Sequence, residues 1–177
     1  MAIEVTVIDD SDSVGWAAAA TRIGEIYMTS CKDMVDNVLA KLAEESEKMS
    51  RLNILDHGNT TSFSLGSDWV SSNTLGSYRK DLARLKGQFA SDGIVHLQHC
   101  QIGQNKALLT SLASIFGVSV YAGKDYQNPV YRLNFAARRH MGWLTGWVKA
   151  IPDPSSGFER YVRADPDGTF DEDAGRP

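Results

Sequence analysis

Arg51-Leu52-Asn53-Ile54-Leu55-Asp56-His57-Gly58 and Ile94-Val95-His96-Leu97-Gln98-His99-Cys100 are two short apolar-rich runs, each ending in a residue that can do chemistry. Their length and aliphatic content read as strands. Gly58 permits a sharp turn after the first. Between them, Asn73 or Thr74 caps a helix with apolar positions at Leu75, Tyr78, Leu82, Leu85 and Phe89, ended by Asp92-Gly93. Two strands joined by one helical crossover are expected to lie parallel and side by side.

The same alternation extends outward. Ala2 to Ile8 alternates and reads as a strand, broken by Asp9-Asp10-Ser11-Asp12-Ser13. Ala17 to Ala20 favours helix, interrupted by Gly15 and Gly24. Ser30 caps a helix with Asp33 three residues on, and Met34, Val35, Val38, Leu39 and Leu42 form its apolar stripe. Ser62 to Leu65 reads as a short extended piece closing at Gly66. Beyond Cys100, Gly103 turns the chain into a helix beginning near Gln104. Leu108, Leu109, Leu112, Ile115 and Phe116 face inward and Gly117 stops it, and Val118 to Tyr121 is a strand. Strands at 2–8, 51–56, 94–99 and 118–122 are therefore expected in one parallel sheet with helical crossovers. Towards the C-terminus, Trp143, Leu144, Trp147 and Val148 are spaced like a helix face. Phe158 to Val162 reads as a strand, Asp165-Pro166-Asp167-Gly168 as a turn and Thr169-Phe170 as a return, leaving Asp171-Glu172-Asp173 as a loose acidic tail.

The 177 residues suit one α/β domain over 1–177, with 136–177 as a C-terminal extension. A net charge of −4 and a pI near 5.5 argue against a nucleic-acid partner. The basic cluster Arg138, Arg139 and His140 reads as a solvated face. No apolar run is long enough to span a bilayer, so no membrane partner is expected. The N-terminus carries no signal peptide, which fits a cytoplasmic protein or part of an exported bacterial one. Two cysteines are too few for a disulfide framework or a structural zinc site, and no ligand spacing suggests a metal. Trp16, Trp69, Trp143 and Trp147 read as packing residues. His96 and His99 read as strand residues in the register opposite the site, and Cys31 reads as structural.

Sites in open parallel sheets form outside the carboxyl ends of the strands. Here two neighbouring strand ends would bring an imidazole, His57, beside a thiol, Cys100. A cysteine alone at a strand end is usually a small hydrophobe. Beside a histidine it gains a group that draws off its proton or pairs with the thiolate. The N–H groups of Gly58 and Cys100 are suitable oxyanion donors. The partial positive charge of the helix beginning near Gln104 would favour the thiolate.

A strand ending in His57-Gly58, then a helix, then a strand ending in Gln98-His99-Cys100, resembles the caspase-like cysteine peptidases. The nearer likeness is to bacterial caspase-like and CHAT-type domains, which share the character of Ser30 to Leu42 and Ala107 to Val120. The resemblance spans roughly residues 2 to 135. It implies a three-layer α/β sandwich with a mainly parallel sheet flanked by helices, to which the sequence adds a C-terminal β-hairpin. It also implies His57 as base, Cys100 as nucleophile, Gly58 as oxyanion donor and Gln98 as a substrate-pocket residue. Asp68 and Asp125 are loop candidates for the specificity residue. The expected partner is a protein or peptide substrate, and no cofactor is required. His99 departs from the small residue common before the cysteine. The competing expectation is a caspase-like domain that has lost catalysis and serves as an interaction or targeting module. A third reading, a Rossmann-type nucleotide binder, is disfavoured because no Gly-rich phosphate loop follows the first strand.

Overall fold

The structure, a computed structural model, describes residues 2–9, 26–125, 160–175 and 177. The readings made at Trp16, Ala17 to Ala20, Arg138 to His140, Trp143 to Val148 and Phe158 lie outside these residues. The element order is β1 (Ala2–Asp9), β2 (Ile26–Met28), α1 (Cys31–Glu45), β3 (Lys48–Leu55), β4 (Ser62–Leu65), β5 (Asp68–Ser71), α2 (Leu75–Leu82), β6 (Phe89–Gln98), α3 (Lys106–Phe116), β7 (Ser119–Gly123), β8 (Tyr161–Ala164) and β9 (Phe170–Ala174).

Seven strands form one sheet in the order β2-β1-β3-β6-β7-β8-β9, while β4 and β5 pair as a separate hairpin. Strands β1, β2, β3, β6 and β7 are mutually parallel, and β8 and β9 are antiparallel additions beside β7. β3 lies directly beside β6, with Leu55 opposite Gln98 at their carboxyl ends. The protein is thus an α/β fold with a mainly parallel central sheet and helices packed on it.

Alternation assigns the two faces of the sheet. Val5, Val7, Leu52, Ile54, Val95, Leu97, Val120 and Ala122 are buried in one core with Met34, Val35 and Val38 of α1, Leu82 of α2, and Leu108, Leu109 and Leu112 of α3. The opposite face is largely polar. There Asn53 donates to Glu4 Oε1 at 2.6 Å and Thr6 Oγ1 at 3.2 Å, and Gln98 Nε2 donates to Asn53 Oδ1 at 3.2 Å.

The caps follow the sequence. Ser30 Oγ accepts from Asp33 N–H, but Asp33 reaches back to Thr29 N–H at 2.9 Å instead of to the cap residue itself. Gly117, at φ 73°, ends α3 in the left-handed conformation glycine favours.

Four expectations need correction. Phe89 opens β6, where it pairs with Met49; the chain leaves its helical path at Gly87, whose φ is 85°. Gly93 therefore stops no helix. It lies inside β6 beside a register shift, where a Cβ would come within 2.8 Å of Phe89 Cβ and 2.9 Å of Met49 O. The acidic tail is not loose, because Asp171 to Ala174 belong to β9 and pair with β8. Trp69 is 48% exposed on the outer side of the β4–β5 hairpin, where alternation turns Val70 inward instead.

Candidate functional site

β3 and β6 stop together at Leu55 and Gln98, so His57 and Cys100 each follow their own strand end by two residues. The chain after β3 stays against β6. A Cβ on Gly58 would meet His99 Cβ at 2.7 Å, Cys100 O at 2.9 Å and Cys100 N at 3.2 Å, so only glycine fits there. His57 is exposed and Cys100 half-buried, so neither side chain is spent in the core. The structure therefore seats Gly58 against His99 and Cys100, with His57 beside it in the chain. Gly58→Ala is expected to destabilise the fold by about 1–3 kcal/mol through overpacking, read as a lower urea midpoint at unchanged slope.

His96 and His99 are three residues apart, so alternation puts them on opposite faces and the expectation that both face away from the site fails. His99 turns to the helix side and is fully buried. His96 shares the other face with Gln98, whose Nε2 lies 3.4 Å from His96 Nδ1. Its ring meets that of Tyr161 at 5.6 Å. The Gln98 amide is thus bound into the polar row of the sheet, two residues before the cysteine.

The loop between β3 and β4 is fastened from several sides. Asp56 is buried, and its carboxylate accepts from His57 N–H at 2.6 Å and Gly66 N–H at 2.8 Å. Burial raises the Asp56 pKa; the nearby Ser64 hydroxyl and the N–H groups of His57 and Gly66 oppose that shift, and the charge of Asp9 adds to it. His57 O accepts from Ser64 N–H at 2.9 Å and from Ser64 Oγ at 3.1 Å. Asn105, the cap of α3, donates to Thr61 O at 3.1 Å. That helix begins at Lys106, and a single 3-10 turn, Ile102–Gln104, separates it from Cys100.

Asp125 and Asp68 have different surroundings. Asp125 O accepts from Gln101 N–H at 2.9 Å, which places Asp125 beside the residue following Cys100. Its carboxylate pairs with Arg160 at 3.0 Å and 3.3 Å, and that guanidinium holds its pKa below the usual value. A polar pocket opens along this turn, lined by Gly103, Gln104, Lys106, Lys124, Arg160 and Glu172. Asp68, in contrast, is not a loop residue but opens β5, and it accepts from Cys31 N–H at the start of α1 at 2.9 Å and from Tyr78 Oη at 3.5 Å. Cys31 is fully buried, and burial, with Asp68 and Asp81 adding to it, pushes its thiol up to about 12.

Ser64 and Arg160 carry no sequence signal for this site, because each reaches it through tertiary contacts, and Asp56, although next to His57 in the chain, shows its bond to Gly66 N–H only in the fold. Among the described residues, no group of three or more His, Cys, Asp or Glu side chains is placed to hold a metal ion. Among the same residues, no helix is long and apolar enough to cross a membrane. Residues 6–127 match the model of a protein family described as Domain of unknown function (DUF4347). No curated protein and no solved structure matches the chain.

Proposed function

The chain belongs to the family described as Domain of unknown function (DUF4347), and on the geometry of the site we propose that it is a Cys-His dyad hydrolase, a cysteine peptidase acting through an acyl-enzyme. The observation that carries this reading is the seating of Gly58 against the His99–Cys100 peptide, with His57 and Cys100 at adjacent strand ends and outside the core. Both residues lie outside the carboxyl ends of parallel strands, the edge at which open α/β sheets bind ligands. The caspase-like three-layer form of the fold is part of the same proposal. Its support is the strand order and the motif order His57-Gly58, then Gln98-His99-Cys100.

In this reading His57 takes the thiol proton and Cys100 Sγ attacks the substrate carbonyl. The oxyanion is met by Gly58 N–H. The leaving amine takes its proton from His57, and water then hydrolyses the thioester and restores the thiol. A protein or peptide is the substrate, and no cofactor enters. Asp125, whose carbonyl binds the residue following Cys100, is nearer the site than Asp68, which is engaged with α1 and α2.

Alkylation by iodoacetamide tests the dyad cleanly, because Cys31 is buried and its pKa stands at about 12. Native protein should be labelled at Cys100 alone. The rate at neutral pH should fall roughly tenfold or more in His57→Ala, since only the thiolate reacts. A rate indifferent to His57 would leave a non-catalytic interaction module as the better reading.

A further inference from the structure

We infer that Ser64 and His99 are positioning residues that orient the His57–Gly58 peptide, so that the Gly58 N–H faces the cleft at Cys100. The inference rests on the hydrolase reading and adds two residues that touch no reacting atom.

A trans peptide points its C=O and N–H in opposite directions, and the described residues contain no cis bond. The carbonyl of this peptide, His57 O, is held from the β4 side by both Ser64 N–H and Ser64 Oγ. Its N–H, on Gly58, therefore points away from β4. The isolated bridge between Gly58 and Phe63 has the same consequence. Its two hydrogen bonds run from Asn59 N–H to Ser62 O and from Ser64 N–H to His57 O, which leaves Gly58's own polar groups facing outward. Among the described residues, no hydrogen bond ends on the Gly58 N–H.

His99 holds Ser64 from the other side. Its Nε2 lies 3.1 Å from Ser64 O. A carbonyl only accepts, so Nε2 carries the proton. The ring is fully buried and its pKa is pushed down to about 3, so it is neutral and Nδ1 is bare. Nδ1 has no hydrogen-bond partner among the described residues. Phe63 fixes the ring plane with an edge contact at 4.9 Å. The residue immediately before the nucleophile thus grips the residue that grips the donor peptide. This is a reason for a bulky side chain where a small one is expected.

Two reactions of the same sulfur separate orientation of a donor from general damage. Iodoacetamide forms an S–C bond as iodide leaves, with no oxyanion. p-Nitrophenyl acetate forms the acetyl thioester through a tetrahedral oxyanion as p-nitrophenolate leaves, and water then releases acetate. In His99→Phe the p-nitrophenolate burst should slow roughly 10- to 100-fold, a part of what losing an oxyanion donor costs, and in Ser64→Ala, which keeps the N–H bond to His57 O, it should slow by less, about threefold. Iodoacetamide alkylation of Cys100 should stay within about twofold of wild type, because the thiolate itself is untouched. His99→Gln, whose amide can donate from the Nε2 position, should recover most of the burst. Equal losses in both reactions, or none in the burst, would overturn the clamp. A wild type that is never acetylated on Cys100 would overturn the hydrolase reading itself.

Discussion

Replacing Cys100 by alanine is expected to abolish hydrolysis of casein or p-nitrophenyl acetate while moving the melting temperature by no more than about 3 °C. The two halves of this result have separate causes. Cys100 lies half-buried past the end of β6, so removing its sulfur opens little core volume and should cost less than about 1 kcal/mol. The chemistry has no such tolerance, because the covalent step needs that atom. Losing the nucleophile of a coupled unit typically removes about four orders of magnitude or more in turnover. Cys31 cannot take over. It is fully buried at the start of α1, and its thiol is held at about 12, so almost none is thiolate at neutral pH. His57→Ala should lose comparable activity, with folding again little changed, since His57 is exposed. Turnover surviving within about tenfold in Cys100→Ala would remove the covalent mechanism.

The legible parts of this fold were those set by local pattern. The apolar stripe from Met34 to Leu42, the Ser30 cap, the Gly117 stop and the four strand runs each carry their signal within a few residues. The parallel pairing of β3 with β6 followed from the crossover between them. Local pattern misled at Phe89, because Leu75, Tyr78, Leu82, Leu85 and Phe89 keep a helical spacing across a chain that has already turned at Gly87. Only the pairing with Met49 settles that residue, and such a contact across 40 positions leaves no local trace. The site divides in the same way. His57, Gly58 and Cys100 were legible because strand ends place them. The roles of Asp56, Ser64 and His99 were not, since they depend on how a short hairpin folds back under the loop. The inward turn of Asp56 and His99 follows from alternation once β3 and β6 are known to end together. Each polar group is then buried on the helix side, and each finds its partner in the β4 hairpin.

That burial sets a second large expected effect, on stability in acid. His99 has a folded pKa of about 3 against an ordinary 6.5, because burial penalises its charged form; the Ser64 hydrogen bond opposes this and nearby His57 adds to it. In the unfolded chain the ring protonates as pH falls through about 6.5, while in the folded protein it stays neutral until about 3. Protons therefore favour the unfolded state across this window. The stability associated with a neutral His99 is complete above pH 6.5 and is lost as the pH falls towards 3. At 1.36 kcal/mol per pH unit, the loss from this residue should reach about 3 kcal/mol by pH 4.5. Asp56 and the other carboxylates titrate in the same range, so the quantity to measure is a difference. Urea unfolding of wild type and His99→Gln, followed from pH 7.5 to 4.5, should give two curves that converge towards acid by about that amount. The glutamine keeps a donor for Ser64 O and takes up no proton. Curves that stay parallel would mean that His99 is protonated in the folded state, and that its Nδ1 meets an acceptor or water which the buried, neutral ring excludes.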